Sequence, residues 1–516
     1  MRMQQSYNTK KTTGRAMMVI IILLVPILAA LNAIIGPYSA LPYVAGAASI
    51  LIFALPIDGL VLLCLLTAAV FAGVLEYFGH ISQGFWLPYL MGLLFIFRAV
   101  AEKFRSRNYS QSTSANKSVM AFPHGIVIFS ILYLAISIFG TAIALPPFSQ
   151  VFIGIKNYFF LWGLPLLLLW RKPDFKLSKY FWNCVLIITM LQWPVVLYQR
   201  IVVVAKRHDA AAWDAIVGTY GGQPDAGGHS AAMAMMSCIT LGLIFWRFKE
   251  KTWQPNKVAV FAIFALIPIA MAEVKAAFIW LAVVFFIFSA KQILREPLKA
   301  ILILLSGAGL LVSIAMIYKV TMYDSEGDSS WTDIYDKQIK YGVDPNEFNP
   351  LYRRLGRIAA LTYWSGKHSL SSAPVETLIG HGLGSSRSSS SLGMGEMARK
   401  LNIEIDTTAT STLLWDTGLL GAITFTLVLI SGALTAYRQS GDQSLPASAR
   451  EASFAATIAL ALNIIGTIYN RDSIDTPSIQ IVILFSLTHV ILVKNNFTQS
   501  SKKLFSSKYK SDFIIA

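Results

Sequence analysis

The sequence has few charged residues for its length. Asp, Glu, Lys and Arg make up 14% of the 516 residues, whereas about 25% of the residues of a typical soluble protein are charged. Apolar residues make up 55%, and the mean hydropathy is +0.58. A chain of this composition has too little polar surface for a set of soluble domains. The composition therefore excludes a soluble protein and predicts a membrane protein.

Cysteine is also scarce. The three cysteines, Cys64, Cys184 and Cys238, all lie inside apolar runs. Their spacing matches no pattern of metal ligands and gives no framework of paired residues. A disulfide-stapled fold and a zinc site are therefore excluded, and we expect neither a metal ion nor a cofactor.

Long apolar runs fill most of the chain, and they favour helices over the weak alternation of barrel strands. We predict an all-α polytopic membrane protein of about 14 transmembrane helices, each of about 20 residues. The predicted helices cover residues 17–36, 39–56, 58–78, 84–101, 123–146, 150–170, 180–200, 227–247, 257–272, 274–291, 299–320, 410–437, 452–469 and 475–494.

The formal net charge is +16, which in a membrane protein marks cytoplasmic loops rather than a nucleic-acid partner. With these helices, the strongly basic short loops fall on one side, together with both termini. The positive-inside rule therefore predicts a multi-pass protein of the bacterial inner membrane. Its N- and C-termini are expected in the cytoplasm, and its one large loop is expected in the periplasm.

The predicted organisation has four parts. A bundle of about 11 helices occupies residues 1–320, the large periplasmic loop occupies 321–408, three further helices occupy 409–494, and 495–516 form a basic cytoplasmic tail. A loop of this length is usually functional or disordered. Because it is rich in aromatic residues, including Trp331 and Trp364, disorder is disfavoured.

Cations on the predicted outer side are informative, because the charge rule does not require them there. Guanidinium groups bind phosphate in a bidentate manner and lysine acts as a point charge. The alternative is that each cation reaches toward lipid headgroups or pairs with a nearby acid. The outer cations lie near the start of the 201–226 segment, after Glu273 and on a predicted loop helix: Arg200, Lys206, Arg207, Lys275, Arg353, Arg354, Arg357 and Arg471.

Two glycine-rich segments also face the predicted outer side. The run from Gly380 to Ser386 lacks the strand and helix that a nucleotide loop needs, so we expect a tight turn packed on the membrane domain. His381 within it is either an acid–base group or a structural histidine. The second segment, Gly218 to Ser230, precedes a predicted helix. Its His229 could donate to an anion, or the segment could only cap that helix.

These pieces, in this order, resemble the bacterial O-antigen ligase and Wzy-type polysaccharide polymerase superfamily of integral membrane glycosyltransferases. The resemblance covers about residues 200–437. It departs from the family at Thr407 to Thr412, where many ligases have a catalytic histidine and this chain has none. The matching pieces are Gly218–Tyr220, Val274–Ala277 (Lys275 in place of an arginine), Arg357–Trp364, Leu378–Gly384 and Leu414–Gly421.

The resemblance implies a metal-independent polymerase that joins polyprenyl-diphosphate-linked oligosaccharides into exopolysaccharide, capsule or O-antigen. It implies partners such as a flippase or a chain-length regulator, besides the lipid bilayer and the lipid-linked glycan. Ligase-type transfer to a lipid acceptor, a polysaccharide or lipid transporter, and a purely structural assembly partner remain alternatives. The implied catalytic residues are His381, Arg357 and Lys275, with Asp406 as another candidate base, and the implied substrate-binding residues are Arg353, Arg354, Arg200, Arg207 and Trp364.

Overall fold

The computed structural model describes residues 55–109, 124–171, 175–207, 212–320, 339–388 and 393–512, together with positions 46 and 332. These residues are mostly helical, and the all-α class predicted from composition is confirmed for them. Strands occur only as two antiparallel pairs within this part of the chain. They are β1 (Gly222–Gln223) with β2 (Gly227–Gly228), and β3 (Phe348–Asn349) with β4 (Arg354–Leu355).

The helices follow one another along most of the described chain. In chain order they are α1 (Ile57–Gly79), α2 (Ser82–Phe104), α3 (Gly125–Ala144), α4 (Phe148–Arg171), α5 (Lys176–Lys206), α6 (Ser230–Lys249), α7 (Pro255–Met271), α8 (Ala276–Arg295), α9 (Pro297–Tyr318), α10 (Lys340–Val343), α11 (Arg357–Lys367), α12 (Pro374–Ile379), α13 (Glu396–Leu401), α14 (Ala409–Ser440), α15 (Ala447–Tyr469), α16 (Asp472–Asp475) and α17 (Pro477–Asp512).

Nine of the described helices are long and apolar enough to cross a membrane: α1 to α6, α14, α15 and the first part of α17. The predicted count of about fourteen is therefore not supported. The predicted spans 257–272, 274–291 and 299–320 correspond to α7, α8 and α9, which have 17, 20 and 22 residues and whose apolar stretches within the described residues have 10–17 residues. Residues 17–36 and most of 39–56 lie outside the described part of the chain.

The centre of the bundle is formed by α6, α15 and the first part of α17, which are the most deeply buried spans. Small residues let these helices approach closely. On α15, for example, Ala452, Ala455 and Ala459 are fully buried. Helix α3 lies at the periphery, where Ile131, Ile138 and Phe139 are exposed as expected for side chains that face lipid.

The two ends of the bundle carry different structures. We call the site end the one at which α1, α5, α7 and α15 end and α6, α8 and α14 begin. The described loop residues 339–388 and 393–408, which we call the loop layer, pack on this end. Their apolar side chains form a second core with residues of α3, α4 and α14, including Trp364, Ile405, Tyr133, Tyr158 and Trp415. The loop layer is therefore folded onto the membrane domain.

Gly418 interrupts α14 near its start, with φ 66° and ψ −171°. A side chain is strained in this conformation, whereas glycine adopts it freely. Gly380, also at positive φ, lies directly opposite in the loop layer, and a Cβ added at either glycine would meet backbone of the other segment within 2.6 Å. This close approach fixes the glycine-rich turn against the membrane domain.

Candidate functional site

Arg357, the first residue of α11, lies between two aromatic rings at the site end. Its guanidinium carbon is 3.9 Å from the centre of the Tyr469 ring and 5.0 Å from that of Tyr341. No carboxylate among the described residues forms an ion pair with it. Ring faces attract a cation without neutralising its charge. Arg357 therefore presents a positive charge that an anionic ligand can still bind.

Arg354 also contacts Tyr341, with its guanidinium 5.4 Å from the ring centre and 3.5 Å from the Glu404 carboxylate. Burial raises the pKa of the Tyr341 hydroxyl, and the charges of Arg354, Arg357 and Arg471 act in the opposite direction. Three arginines, from β4, α11 and the turn after α15, are therefore near this one hydroxyl.

Asp214 brings together cations from three separate segments. Burial raises the pKa of its carboxyl group, Glu273 adds to this rise, and Lys275, Arg207 and Arg354 oppose it. The side chain is nevertheless accessible to solvent. Lys275 also pairs with Glu273 at 2.9 Å. Three of the sequence-predicted residues, Lys275, Arg207 and Arg354, are thus within electrostatic range of one carboxyl group.

A buried ion cluster fastens the loop layer to the short helix α16. Arg387 donates to both carboxylate oxygens of Asp475, and Arg471 donates to Asp406. Arg471 Nε also lies 3.4 Å from Asp475, which joins the two pairs into one cluster. Buried charges must be paired to be tolerated, so this cluster fixes how the loop layer sits. Asp406, fully buried and bound to Arg471, is not placed to meet a substrate as a free base.

Lys156 of α4 is a second cation that lies over aromatic rings. Its Nζ lies 4.4 Å from the centre of the Trp86 ring and 4.8 Å from that of Tyr89, and it has no carboxylate partner among the described residues. The Tyr89 hydroxyl donates to the backbone oxygen of Asp475 at 2.6 Å, which places this group beside the ion cluster. The sequence prediction did not include Lys156, although an ionisable residue inside an apolar span is itself a signal of function.

His229, the residue before α6, faces the turn that follows α15. Its Nδ1 lies 3.3 Å from Asp472 Oδ1 and 3.0 Å from Thr476 Oγ1, and Thr476 donates to the same Asp472 oxygen at 2.6 Å. About a third of the imidazole side chain (31%) is exposed. Its Nε2 forms no hydrogen bond within the described residues. His229 thus has one nitrogen held in place and the other open.

His381 lies in an aromatic enclosure rather than beside the cations. Its Nε2 is 2.9 Å from His368 Nε2, and its ring stacks on Trp415. Burial and the neighbouring His368 lower the pKa of His381 to about 4. The other charges that act on it are Glu376 and Lys400, and neither belongs to the group around Asp214. The His368 Nδ1 contact with the Trp364 carbonyl oxygen, at 3.0 Å, makes His368 a donor there; this arrangement suits a neutral, structural histidine pair.

Three further residues that the sequence predicted for substrate binding, Arg353, Arg200 and Trp364, either lie away from Arg357 or are buried. Arg353 and Arg354 do not lie on a helix as expected, because β3 and β4 form a hairpin and α11 begins only at Arg357. Arg353, at φ 51°, is exposed at the hairpin turn. Arg200 stacks on Trp213 at 4.4 Å. Trp364 is buried against His368, where no sugar face can reach it. Trp331 lies outside the described residues.

The glycine-rich turn binds a carboxylate of its own chain. Asp416 accepts hydrogen bonds from the amides of Gly384 and Ser386 at 2.9 and 2.8 Å, and from the hydroxyls of Ser385 and Tyr158 at 3.0 Å each. The expected tight turn on the membrane domain is therefore confirmed. Since Asp416 already occupies its donors, this turn is not available as a phosphate cradle.

The segment 407–412, at the start of α14, has a structural role. Thr408 caps α14, accepting from the Ser411 amide at 3.0 Å, and its own amide donates to the Ser411 hydroxyl at 3.0 Å.

Within the described residues, no three His, Cys, Asp or Glu side chains are grouped in a way that could hold a metal ion. No known protein family has a model that matches this chain, and no curated protein matches it either.

Proposed function

We propose that this protein is a membrane glycosyltransferase of the polysaccharide-polymerase type. Its donor is a glycan on a polyprenyl diphosphate, and its acceptor is a sugar hydroxyl of another lipid-linked unit. The bond between the anomeric carbon and the diphosphate oxygen breaks, and the diphosphate leaves with the electron pair. The acceptor oxygen bonds to the anomeric carbon and loses its proton to a base.

The observation that carries the proposal is the surroundings of the Arg357 guanidinium group. It is a cation held by two tyrosine rings, without a carboxylate partner among the described residues, beside Arg354. A diphosphate leaving group needs such charges where its own negative charge develops. Because the diphosphate is already a good leaving group, placing the two substrates and stabilising this charge supply most of what catalysis needs.

The position of the site at one end of the helix bundle suits a lipid-linked substrate. The cations lie at one end of a bundle of apolar helices, where a polyprenyl chain in the bilayer can bring its diphosphate without leaving the membrane. In the proposed orientation the site end faces the periplasm of a bacterial cell, where nucleotide sugars are absent and lipid-linked units are the available donors. Transfer to a lipid acceptor, as in O-antigen ligases, would use the same leaving group.

The decisive test is Arg357→Ala in proteoliposomes that contain lipid-linked oligosaccharide. We expect at least a ~100-fold loss of polymerisation rate, since loss of a preorganised charge-stabilising donor costs about that much. Arg357→Lys keeps the charge but not the planar group, and should recover part of the rate.

Lys367→Ala is the matched control, because it removes an exposed cation from the other end of the same helix. It should polymerise like the wild type. The proposal fails if Arg357→Ala makes polymer of normal length at the normal rate, or if the wild-type protein does not consume the lipid-linked donor at all.

A further inference from the structure

The proposed transfer needs a group that removes the proton of the acceptor hydroxyl, and the sequence candidates do not supply one. The His381 pair is enclosed by aromatic rings, and Asp406 is bound to Arg471 in the buried cluster. Residues 407–412 contain no histidine. The described residue that combines a held nitrogen, an open nitrogen and a position beside the cations is His229.

The contacts of His229 define which nitrogen carries the proton. Thr476 donates to Asp472 Oδ1, so this carboxylate oxygen and the Thr476 oxygen are the acceptors that face Nδ1. The imidazole Nδ1–H donates toward them, and the lone pair is left on Nε2. A carboxylate that orients one imidazole nitrogen while the other takes up a proton is a common arrangement of a general base.

Residues Gly218 and Thr219, which begin the segment that leads to His229, are held by two glutamine side chains of α5 and a backbone carbonyl of α1. Gln192 Oε1 accepts from the Thr219 amide at 2.8 Å, Gln199 Oε1 accepts from the Gly218 amide at 2.8 Å, and the Thr219 hydroxyl donates to the Ala69 carbonyl at 2.7 Å. The Ala69 carbonyl is part of a π-helical turn, where the regular hydrogen-bond pattern of a helix is interrupted. The segment that leads to His229 is therefore rigid although it is rich in glycine.

His229 is connected to the proposed diphosphate site through the turn that follows α15. Asp472, its partner, directly follows Arg471 in the chain. Arg471 is close enough to Tyr341 to act on that hydroxyl, as are Arg354 and Arg357. The Arg471–Asp472 pair of residues thus links the cations on one side to the histidine on the other.

We propose that His229 is the general base of the transfer, with Asp472 and Thr476 as positioning residues. This inference rests on the proposed function. The acceptor hydroxyl gives its proton to His229 Nε2 as its oxygen bonds to the anomeric carbon, and the diphosphate leaves with the electrons of the broken bond. The imidazolium that forms is stabilised by Asp472 and releases its proton to water.

The charges that face His229 come from α1 and α16. Burial lowers its pKa, but the hydrogen bond to Asp472 and the charges of Asp472, Glu76 and Asp475 outweigh burial and raise the pKa above its ordinary value. The base form is therefore populated only above that raised pKa. The reaction rate should rise with pH through the pKa of His229.

The experiment compares three variants of the full-length protein in proteoliposomes: His229→Gln, Asp472→Asn and, as the matched control, His80→Asn, an exposed histidine at the same end. We expect His229→Gln to lose at least ~100-fold in kcat, with the KM for the lipid-linked donor changed by less than about threefold. Asp472→Asn should shift the acid limb of the pH–rate profile to lower pH, because the imidazolium loses its anionic partner. His80→Asn should match the wild type.

Two results would overturn this inference while leaving the proposed function intact. One is a His229→Gln protein that keeps more than about a third of the wild-type kcat. The other is an acid limb that stays in place in Asp472→Asn, since a merely structural role would not move it. Failure of the proposed function looks different, because the wild-type protein then does not turn over the donor. Binding of a polyprenyl diphosphate probe by His229→Gln at wild-type affinity shows that the variant is folded.

Discussion

At the end of the bundle opposite the site end, arginines bind carboxylates. Each of these ion-paired groups contains two or three side chains. Glu102 accepts from Arg98 and Arg171, and the last turn of α6 pairs with the start of α15 through Arg247 and Glu451 at 2.6 Å. At the site end, four charged side chains from the loop layer and the turn after α15 also form one cluster. Beside it lies Arg357, an arginine that two tyrosine rings contact.

This difference separates two uses of the same residue types. A carboxylate neutralises the arginine it binds, so Arg98, Arg171 and Arg247 of the opposite end keep little charge for a ligand. An aromatic ring holds a cation and leaves its charge in place, as around Arg357 at the site end and around Lys257 beside Trp253 at the opposite end. Arg357 can therefore bind an anion, whereas the arginine ion pairs of the opposite end hold helices together.

The largest difference between the two ends should appear on removal of a cluster carboxylate. Asp475→Asn leaves Arg387 buried without its partner, and we expect the free energy of unfolding to fall by about 3–5 kcal/mol. Asp442→Asn at the opposite end makes the same chemical change on an exposed side chain and is the control. Thermal unfolding in detergent measures both. Equal midpoints for the two variants would mean that the cluster does not fasten the loop layer.

A smaller effect concerns the histidine pair of the site end. The pKa of His381, about 4, lies below its ordinary value of about 6.5, so the unfolded chain binds more protons between these limits. The contribution of His381 to stability is then fully present above pH 6.5 and is lost as the pH falls toward 4.

Unfolding midpoints of the wild type and His381→Gln, measured from pH 4 to 7.5, check this. The wild type should lose more stability over that range than the variant does. Parallel curves would show that His381 does not remain neutral in the folded protein.

The smallest effect is expected for Arg171→Ala at the opposite end. Its side chain is 53% exposed, and a surface ion pair contributes about 0–1 kcal/mol. The unfolding midpoint should change little, and polymerisation should stay at the wild-type rate while Arg357→Ala loses it. A loss of activity in Arg171→Ala comparable to that of Arg357→Ala would remove the functional distinction between the two ends.

Some features of the fold could be predicted because they depend on local composition. A spanning helix is set by the length of its apolar run, so the nine spans of the described residues match predicted ones closely. Helices α7, α8 and α9 also begin and end within a few residues of the predicted spans, with the turn from Ala272 to Lys275 between α7 and α8. The cations Lys275, Arg207 and Arg354 were found because charge outside the basic loops is unusual.

The sequence by itself therefore determined that the chain is a helical membrane protein, and which cations lie outside its basic loops, because apolar length and charge are properties of short segments. Only the tertiary structure decided what those charges bind. Arg387 meets Asp475, 88 residues away, His229 meets Asp472, and the glycine-rich turn binds Asp416. Such pairings depend on how helix ends and the loop layer come together in space, which no local spacing specifies. The tertiary structure also placed two tyrosine rings around Arg357.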